Sequence, residues 1–217
     1  SQVTPPAVPA PDHRHPALQQ WADFGLVDVI VAEAATRART AYYGLVRMID
    51  RLIGDLVSDV SDRDDTIVIY VSDHGEALGE RGLWWKGTFY DESAKVPMIM
   101  AGPGIEKGAI DDHVTSLLDL SATILDLAGA DLLPGQTGRS LADSAPRENR
   151  ATSSYCGGLM NIKTPALHQR MLRRDHLKLC IYDGHAPQVF DLANDPHETE
   201  DLSGQMPLEL SALMKEI

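Results

Sequence analysis

The stretch "TIVIYVSDHGEALGERGLWWKGTFYDESAKVPMIMAGPG", Thr66 to Gly104, decides the fold. Thr66–Val71 is short, continuous and β-branched, which predicts a central parallel strand buried on both faces. Val96–Ala101 predicts a second buried strand, ended by Gly102-Pro103-Gly104. Between them runs a Gly- and aromatic-rich loop carrying Trp84, Trp85, Lys86, Phe89 and Tyr90. In open α/β sheets ligands bind beyond the carboxyl ends of the strands, where Asp73 and His74 fall. A carboxylate beside an imidazole suits a divalent cation, and Gly75 lets the backbone turn away without filling the site. As a bare dipeptide Asp73-His74 also reads as a capped turn, and Lys86 alone as a solvated lysine. Packed between Trp85 and Tyr90, Lys86 would instead pair with an anionic substrate oxygen.

Outward from this stretch, Pro5, Pro6, Pro9, Pro11 and Pro16 make residues 1–20 extended or irregular. From about Asp28 to Val60 apolar residues recur at helical spacing, giving one long amphipathic helix or two in series, before the polar turn "SDRDD". Ser116 caps a helix whose apolar stripe is Leu117, Leu120, Ile124, Leu127 and Ala128, with Gly129 as C-cap. This order suggests an α/β sheet with helices on both faces. From about Arg150 the short runs "RATSSY", "HQRMLRR", "HLKLCIYD" and "QVFDLA" predict a small antiparallel sheet, and a last helix starts near Pro207. The expected domains are residues 1–145 and 146–217.

The net charge of −13 argues against nucleic acid and anionic membrane as partners and favours a cation held by carboxylates. Cys156 and Cys180 lack CxxC spacing, so neither a disulfide framework nor a zinc knuckle is indicated, and so few cysteines lean towards the cytoplasm. Cys156 reads as a structural thiol before a nucleophile. His113 beside Asp111 and Asp112 reads as a solvated turn, and Asp119 and Asp126 as one solvated helix face. Asp191 and Asp195 read as turn-makers around Pro196. Glu80 and Arg81 would line a substrate entrance or pair with each other. The aromatic residues of the loop would stack on a sugar or arene, cage a quaternary ammonium, or simply pack.

"SDHGEALGERGLWWKGTFYDESAKVPMIMAGPG" resembles the second signature region of the sulfatases, a branch of the alkaline phosphatase superfamily, and within it choline-sulfatase-like and arylsulfatase-like bacterial enzymes. "YYGLVRMIDRLIGDLV", "VTSLLDLSATILDLAGADLLPGQTGRSL" and "RRDHLKLCIYDGHAPQVFDLANDPHETEDLSG" are similar to the flanking and C-terminal family regions. The resemblance implies a partial alkaline-phosphatase-like mixed sheet flanked by helices, with a small C-terminal α+β subdomain. It implies that Asp73 and His74 are metal ligands, to calcium before manganese. Lys86 would contact the sulfate of a small-molecule sulfate ester, with Trp85 beside it. The family's nucleophile is a formylglycine made from a Cys/Ser-x-Pro-x-Arg motif. No such motif occurs here, and neither the early pair of metal aspartates nor the histidine for the leaving group is present, a role that His13 and His15 should not inherit. The expectation is therefore the C-terminal half of a sulfatase, inactive alone, with homo-oligomerisation left open. The alternatives are a phosphonate monoesterase or phosphodiesterase of the same superfamily, and a non-catalytic binding module.

Overall fold

The computed structural model describes residues 3–21, 32–60, 64–143, 148–157 and 167–217, in two compact units, Ser1–Gly108 and Ala109–Ile217. Residues 28–31 and 61–63, where the long helix was expected to begin and the polar turn to lie, fall outside the described residues.

The first unit begins irregularly, as its prolines predict, but Pro16–Trp21 is a helix, α1, rather than more of the same. Pro16 tolerates the first helical position because its missing N–H would have no intrahelical partner there. Ala17 and Leu18 are buried, so one turn of helix is worth forming. Helix α2, Ala32–Ser58, is a single helix that runs through Gly44 and Gly54. Its amphipathic pattern is real, but Leu45, Ile49, Leu52 and Leu56 are all exposed. Among the described side chains of α2 the buried one is charged, Arg39.

Strands β1, Val68–Val71, and β2, Met98–Ala101, pair antiparallel, with Val68 opposite Ala101 and Val71 opposite Met98. The expected parallel arrangement, buried on both faces, is not what forms. A parallel return needs a crossover, usually helical, to carry the chain back to the start of the first strand. The segment between β1 and β2 holds only a 3-10 turn, Glu80–Gly82, and the single-turn helix α3, Asp91–Ala94. It leaves β1 and re-enters β2 at the same end of the pair. Both strands stay half-open, Ile99 being 61% exposed.

In the second unit α4, Leu117–Leu127, opens with a capping box. Ser116 Oγ accepts from the Leu118 N–H, while Asp119 Oδ2 accepts from the Ser116 N–H at 2.8 Å. Gly129, at φ +67°, ends it in the left-handed conformation that glycine takes without cost. The buried face is Leu120, Ala122 and Thr123, whereas Leu117 and Ile124 of the expected stripe are exposed. Asp119 and Asp126 are not simply solvated: Asp119 Oδ1 accepts from the Arg139 N–H and Asp126 from the Ser140 hydroxyl, tying the following loop to the helix.

The alternating runs form a four-stranded antiparallel meander: β3, Arg150–Gly157; β4, Leu167–Arg174; β5, Leu177–Tyr182; and β6, Gln188–Asp191. Leu172, Leu179 and Val189 lie opposite one another across β4, β5 and β6. With Ile181 and with Leu213 of α5, Pro207–Leu213, they form the unit's apolar core. The other face is also buried and is mixed, with Lys178, Gln169 and Gln188 among Cys180, Tyr182 and Phe190. Asp191 and Asp195 do organise turns: Asp191 accepts from the Ala193 N–H and Asp195 from the Thr199 and Glu200 N–H groups. Among the described residues no helix is long and apolar enough to cross a membrane.

Candidate functional site

The end of β1 carries the polar residues singled out in the sequence. Asp73 and His74 are exposed, the Asp73 side chain to 83%. Asp73 Oδ1 accepts from the His74 N–H at 2.9 Å. His74 Nδ1 lies 2.9 Å from the Gly75 carbonyl oxygen. A carbonyl can only accept, so this contact puts a proton on Nδ1, and in the neutral ring the lone pair is then on Nε2. His74 Nε2 and Asp73 Oδ2 face each other at 3.5 Å. Metal-ligating histidines commonly donate their second N–H to a carbonyl in this way, so the tautomer and the donor types fit a cation. Two donors are nevertheless only part of a ligand set. Among the described residues no three His, Cys, Asp or Glu side chains gather as a cation cage would require.

Gly75 has a different reason from the one its sequence suggested. A Cβ at this position would lie 2.0 Å from the Glu92 carbonyl oxygen, so glycine is required by backbone-on-backbone contact. The Gly75 N–H donates to Ser93 O at 2.8 Å, closing the base of the loop. Within the loop, the Ala77 N–H donates to Trp85 O at 2.8 Å and the Gly87 N–H to Ser93 Oγ at 3.1 Å. Ala77 and Leu83 form a small apolar nucleus with Tyr90 against it.

Lys86 is half-buried, its Nζ 5.1 Å from the centre of the exposed Trp85 ring, a cation–π stack. It is not sandwiched between Trp85 and Tyr90, because the Tyr90 ring takes Arg81, whose guanidinium carbon lies 3.9 Å from its centre. Phe89 is buried and serves as packing. Glu80 and Arg81 neither pair with each other nor face open solvent. Glu80 meets Arg39 of α2 at 3.3 Å, and Arg81 meets Glu92 at 2.7 Å. The Tyr42 hydroxyl on α2 is pushed above the usual phenol value, first by burial and then by the charge of Glu76.

Sequence reasoning missed Arg39, Glu92 and residues 4–14. The available signal was Gly79 and Gly82 on either side of Glu80-Arg81. A Cβ on Gly79 would come 3.1 Å from Pro6, and one on Gly82 2.7 Å from Arg14. Elsewhere, His113 Nδ1 lies 2.8 Å from Asp111 Oδ1 in an exposed turn, as expected. Cys180 is buried, and the side chain of Cys156 lies outside the described set. Lys178 and Glu198, neither foreseen as a pair, form an ion pair at 2.7 Å with side chains 2% and 1% exposed.

Comparison with known proteins gives this geometry its context. The sulfatase family model matches residues 8–130, and a model of the N-sulphoglucosamine sulphohydrolase C-terminal region matches residues 79–216. The chain is 34% identical over 185 residues to a choline-sulfatase of Rhizobium meliloti (strain 1021), covering 80% of this chain and 35% of that protein. It is 34% identical over 187 residues to human arylsulfatase K, covering 78% of this chain and 34% of that protein. The chain thus spans about a third of the length of these curated relatives. The fold is that of a phosphonate monoester hydrolase from Silicibacter pomeroyi, with a TM-score of 0.84 at 24% identity over 99% of this chain and 49% of the other. It is also that of BT4656, solved with its substrate D-glucosamine-2-N,6-O-disulfate, with a TM-score of 0.76 at 22% identity over 92% of this chain and 43% of the other. The strand end with its Asp-His pair and lysine-bearing loop, and the meander that follows, lie within matched regions, and the chain belongs to the sulfatase family of the alkaline phosphatase superfamily.

Proposed function

We propose that the protein carrying this chain is a sulfuric ester hydrolase acting on a small-molecule sulfate monoester. In this reading Asp73 and His74 supply two ligands to a divalent cation, calcium before manganese, and Lys86 contacts the sulfate. The nucleophile, a formylglycine, and the remaining ligands would come from outside these 217 residues, which alone would be inactive. Residues 146–217 would be the C-terminal subdomain and residues 1–145 part of the catalytic α/β domain.

The observation that carries the reading is the arrangement at the end of β1 in a chain of this family. His74 Nδ1 faces the Gly75 carbonyl, so in the neutral ring the Nε2 lone pair lies beside Asp73 Oδ2. A divalent cation held there would neutralise sulfate charge and polarise its oxygens. Lys86 brings three donors on a flexible stem, and its stack on Trp85 restrains that stem before any substrate arrives.

The test is hydrolysis of an aryl sulfate and an aryl phosphonate by the intact polypeptide. We expect a clear sulfate preference, with Lys86→Ala lowering kcat/KM by about 10²–10³. A phosphonate preference would replace the reading with that of a phosphonate monoesterase, and no hydrolysis of either ester would leave a non-catalytic binding module.

A further inference from the structure

Between Leu78 and Gly87 the backbone crosses repeatedly into the left-handed region. Leu78 has φ 51°, Gly79 90°, Arg81 55°, Gly82 68°, Trp85 69° and Gly87 100°. Glycine adopts such angles freely, but leucine, arginine and tryptophan do so at a cost of order 1–3 kcal/mol each, and only where their surroundings over-determine them. The residue immediately after this strained Trp85 is Lys86, so the lysine's position depends on whatever holds the strain.

Two buried ion pairs hold it. The Arg39 and Arg81 side chains are each only 6% exposed. Arg39 donates through Nε to Thr4 O at 2.9 Å and through Nη1 to Leu78 O at 2.7 Å, besides meeting Glu80 Oε1. One guanidinium thus joins α2, the proline-rich segment and the start of the strained run. Glu80 is used at both oxygens, because Oε2 accepts from the Val8 N–H at 2.8 Å. The return contact is the Arg81 N–H donating to Val8 O at 2.8 Å, and Arg14 Nη2 reaches Arg81 O at 3.2 Å. The Arg81 side chain then spans the loop to Glu92 while lying over Tyr90. Residues 4–14 therefore act as a strap, in which Val8 accepts from the loop's main chain and donates to its Glu80 carboxylate.

We infer that Arg39, Glu80, Arg81 and Glu92 are positioning residues, which with the strap of residues 4–14 hold the strained loop so that Trp85 and Lys86 are presented at the end of β1. This rests on reading Lys86 as a substrate-contacting group. The division of labour is specific. The Arg39–Glu80 pair fixes where the loop turns back, and the Arg81–Glu92 pair fixes the width of its mouth. Neither pair touches substrate. Their effect on turnover runs through substrate capture by Lys86, not through the protonation of any reacting group.

The test compares the intact polypeptide with its Glu80→Gln variant, which keeps the size and an acceptor but removes the charge that faces Arg39. Two readouts are needed, the rate of limited trypsin cleavage after Lys86 and the separate kcat and KM for an aryl sulfate. We expect cleavage after Lys86 to accelerate about tenfold while sites at Arg173, Arg174 and Lys178 stay protected, because only the loop is released. We expect KM to rise about tenfold with kcat changed less than about threefold and an unaltered pH profile, because ground-state capture is what loosens. Glu80→Asp, which restores the charge, should recover much of both effects. Unchanged cleavage after Lys86 would overturn the inference, as would cleavage that rises in step in both units, since the pair would then be supporting global stability. If the parent protein hydrolyses no sulfate ester, the sulfatase reading falls, while cleavage after Lys86 still decides whether the pairs hold the loop. Should Glu80→Gln fail to fold, Glu92→Gln carries the same comparison.

Discussion

The two units solve the problem of staying folded in opposite ways. In residues 109–217 a four-stranded meander closes one face with Leu172, Leu179, Ile181, Val189 and Leu213, and the element that covers it, α5, is part of the same unit. In residues 1–108 the sheet has two half-open strands, and the longest helix leaves its leucines in solvent. There Arg39 and Arg81 are buried beside a few small apolar clusters, and much of the order comes from charge pairs, main-chain bonds and strained turns. Apolar packing tolerates exchange of similar volumes, whereas a hydrogen-bonded guanidinium accepts few substitutes. A unit organised in the second manner is suited to fixing the position of a few side chains, and it is the one that carries Asp73, His74 and Lys86.

The contrast can be broken most forcefully at its exception, the buried Lys178–Glu198 ion pair in the unit that has the apolar core. Glu198→Gln removes the carboxylate that faces the buried Lys178 ammonium group and should cost about 3–5 kcal/mol, read from urea unfolding. A loss below about 1 kcal/mol would mean that Lys178 finds water there. A smaller effect sharpens the comparison between the cores. Leu179→Ala should cost about 2–5 kcal/mol because it opens a cavity in a closed core. Leu52→Ala, on an α2 side where that leucine is 58% exposed, should stay within about 0.5 kcal/mol. Equal losses would show that the α2 face is covered in solution.

The smallest effect concerns acid. The Asp191 carboxyl is held below the usual carboxylate range, first by the Asn194 side-chain amide, which donates to it at 2.7 Å, and also by the Ala193 N–H. A depressed folded-state value contributes stability that is present above the unfolded value and is lost as pH falls through the folded one. Asn194→Ala should therefore flatten the decline in melting temperature on going from neutral pH to below about pH 4. An unchanged acid slope would remove Asp191 from the account.

The second unit was the more legible of the two. Alternation in "HQRMLRR" and "HLKLCIYD" announces strands because one face must meet a core, and a capping serine or a helix-starting proline acts within a turn of its own position. The loop from Gly75 to Ser93 could be located, since its glycines, aromatic residues and position after a β-branched run are local facts. What could not be read is what lies far apart in the chain. A run such as Thr66–Val71 records that it is a strand, but its direction relative to β2 depends on how the intervening chain returns. Arg39 meets Glu80 across 41 residues, and nothing beside either residue names the other. The proline-rich opening shows the same limit: its composition predicts irregular backbone correctly as far as Pro16, but neither the helix that starts there nor the groups with which the segment pairs.

Gly75 and Ser93 meet main chain to main chain, with no room for a side chain between Gly75 and Glu92. The excursion is thus stapled where it leaves and rejoins the strands, like a drawer on a fixed rail. Extra residues inserted towards its tip would lengthen what reaches into solvent without shifting the β1 end, and the entropic cost of loop length grows only slowly. The stapled base makes the loop an exchangeable cassette, in which the reach of the aromatic residues can be altered while Asp73 and His74 keep their footing.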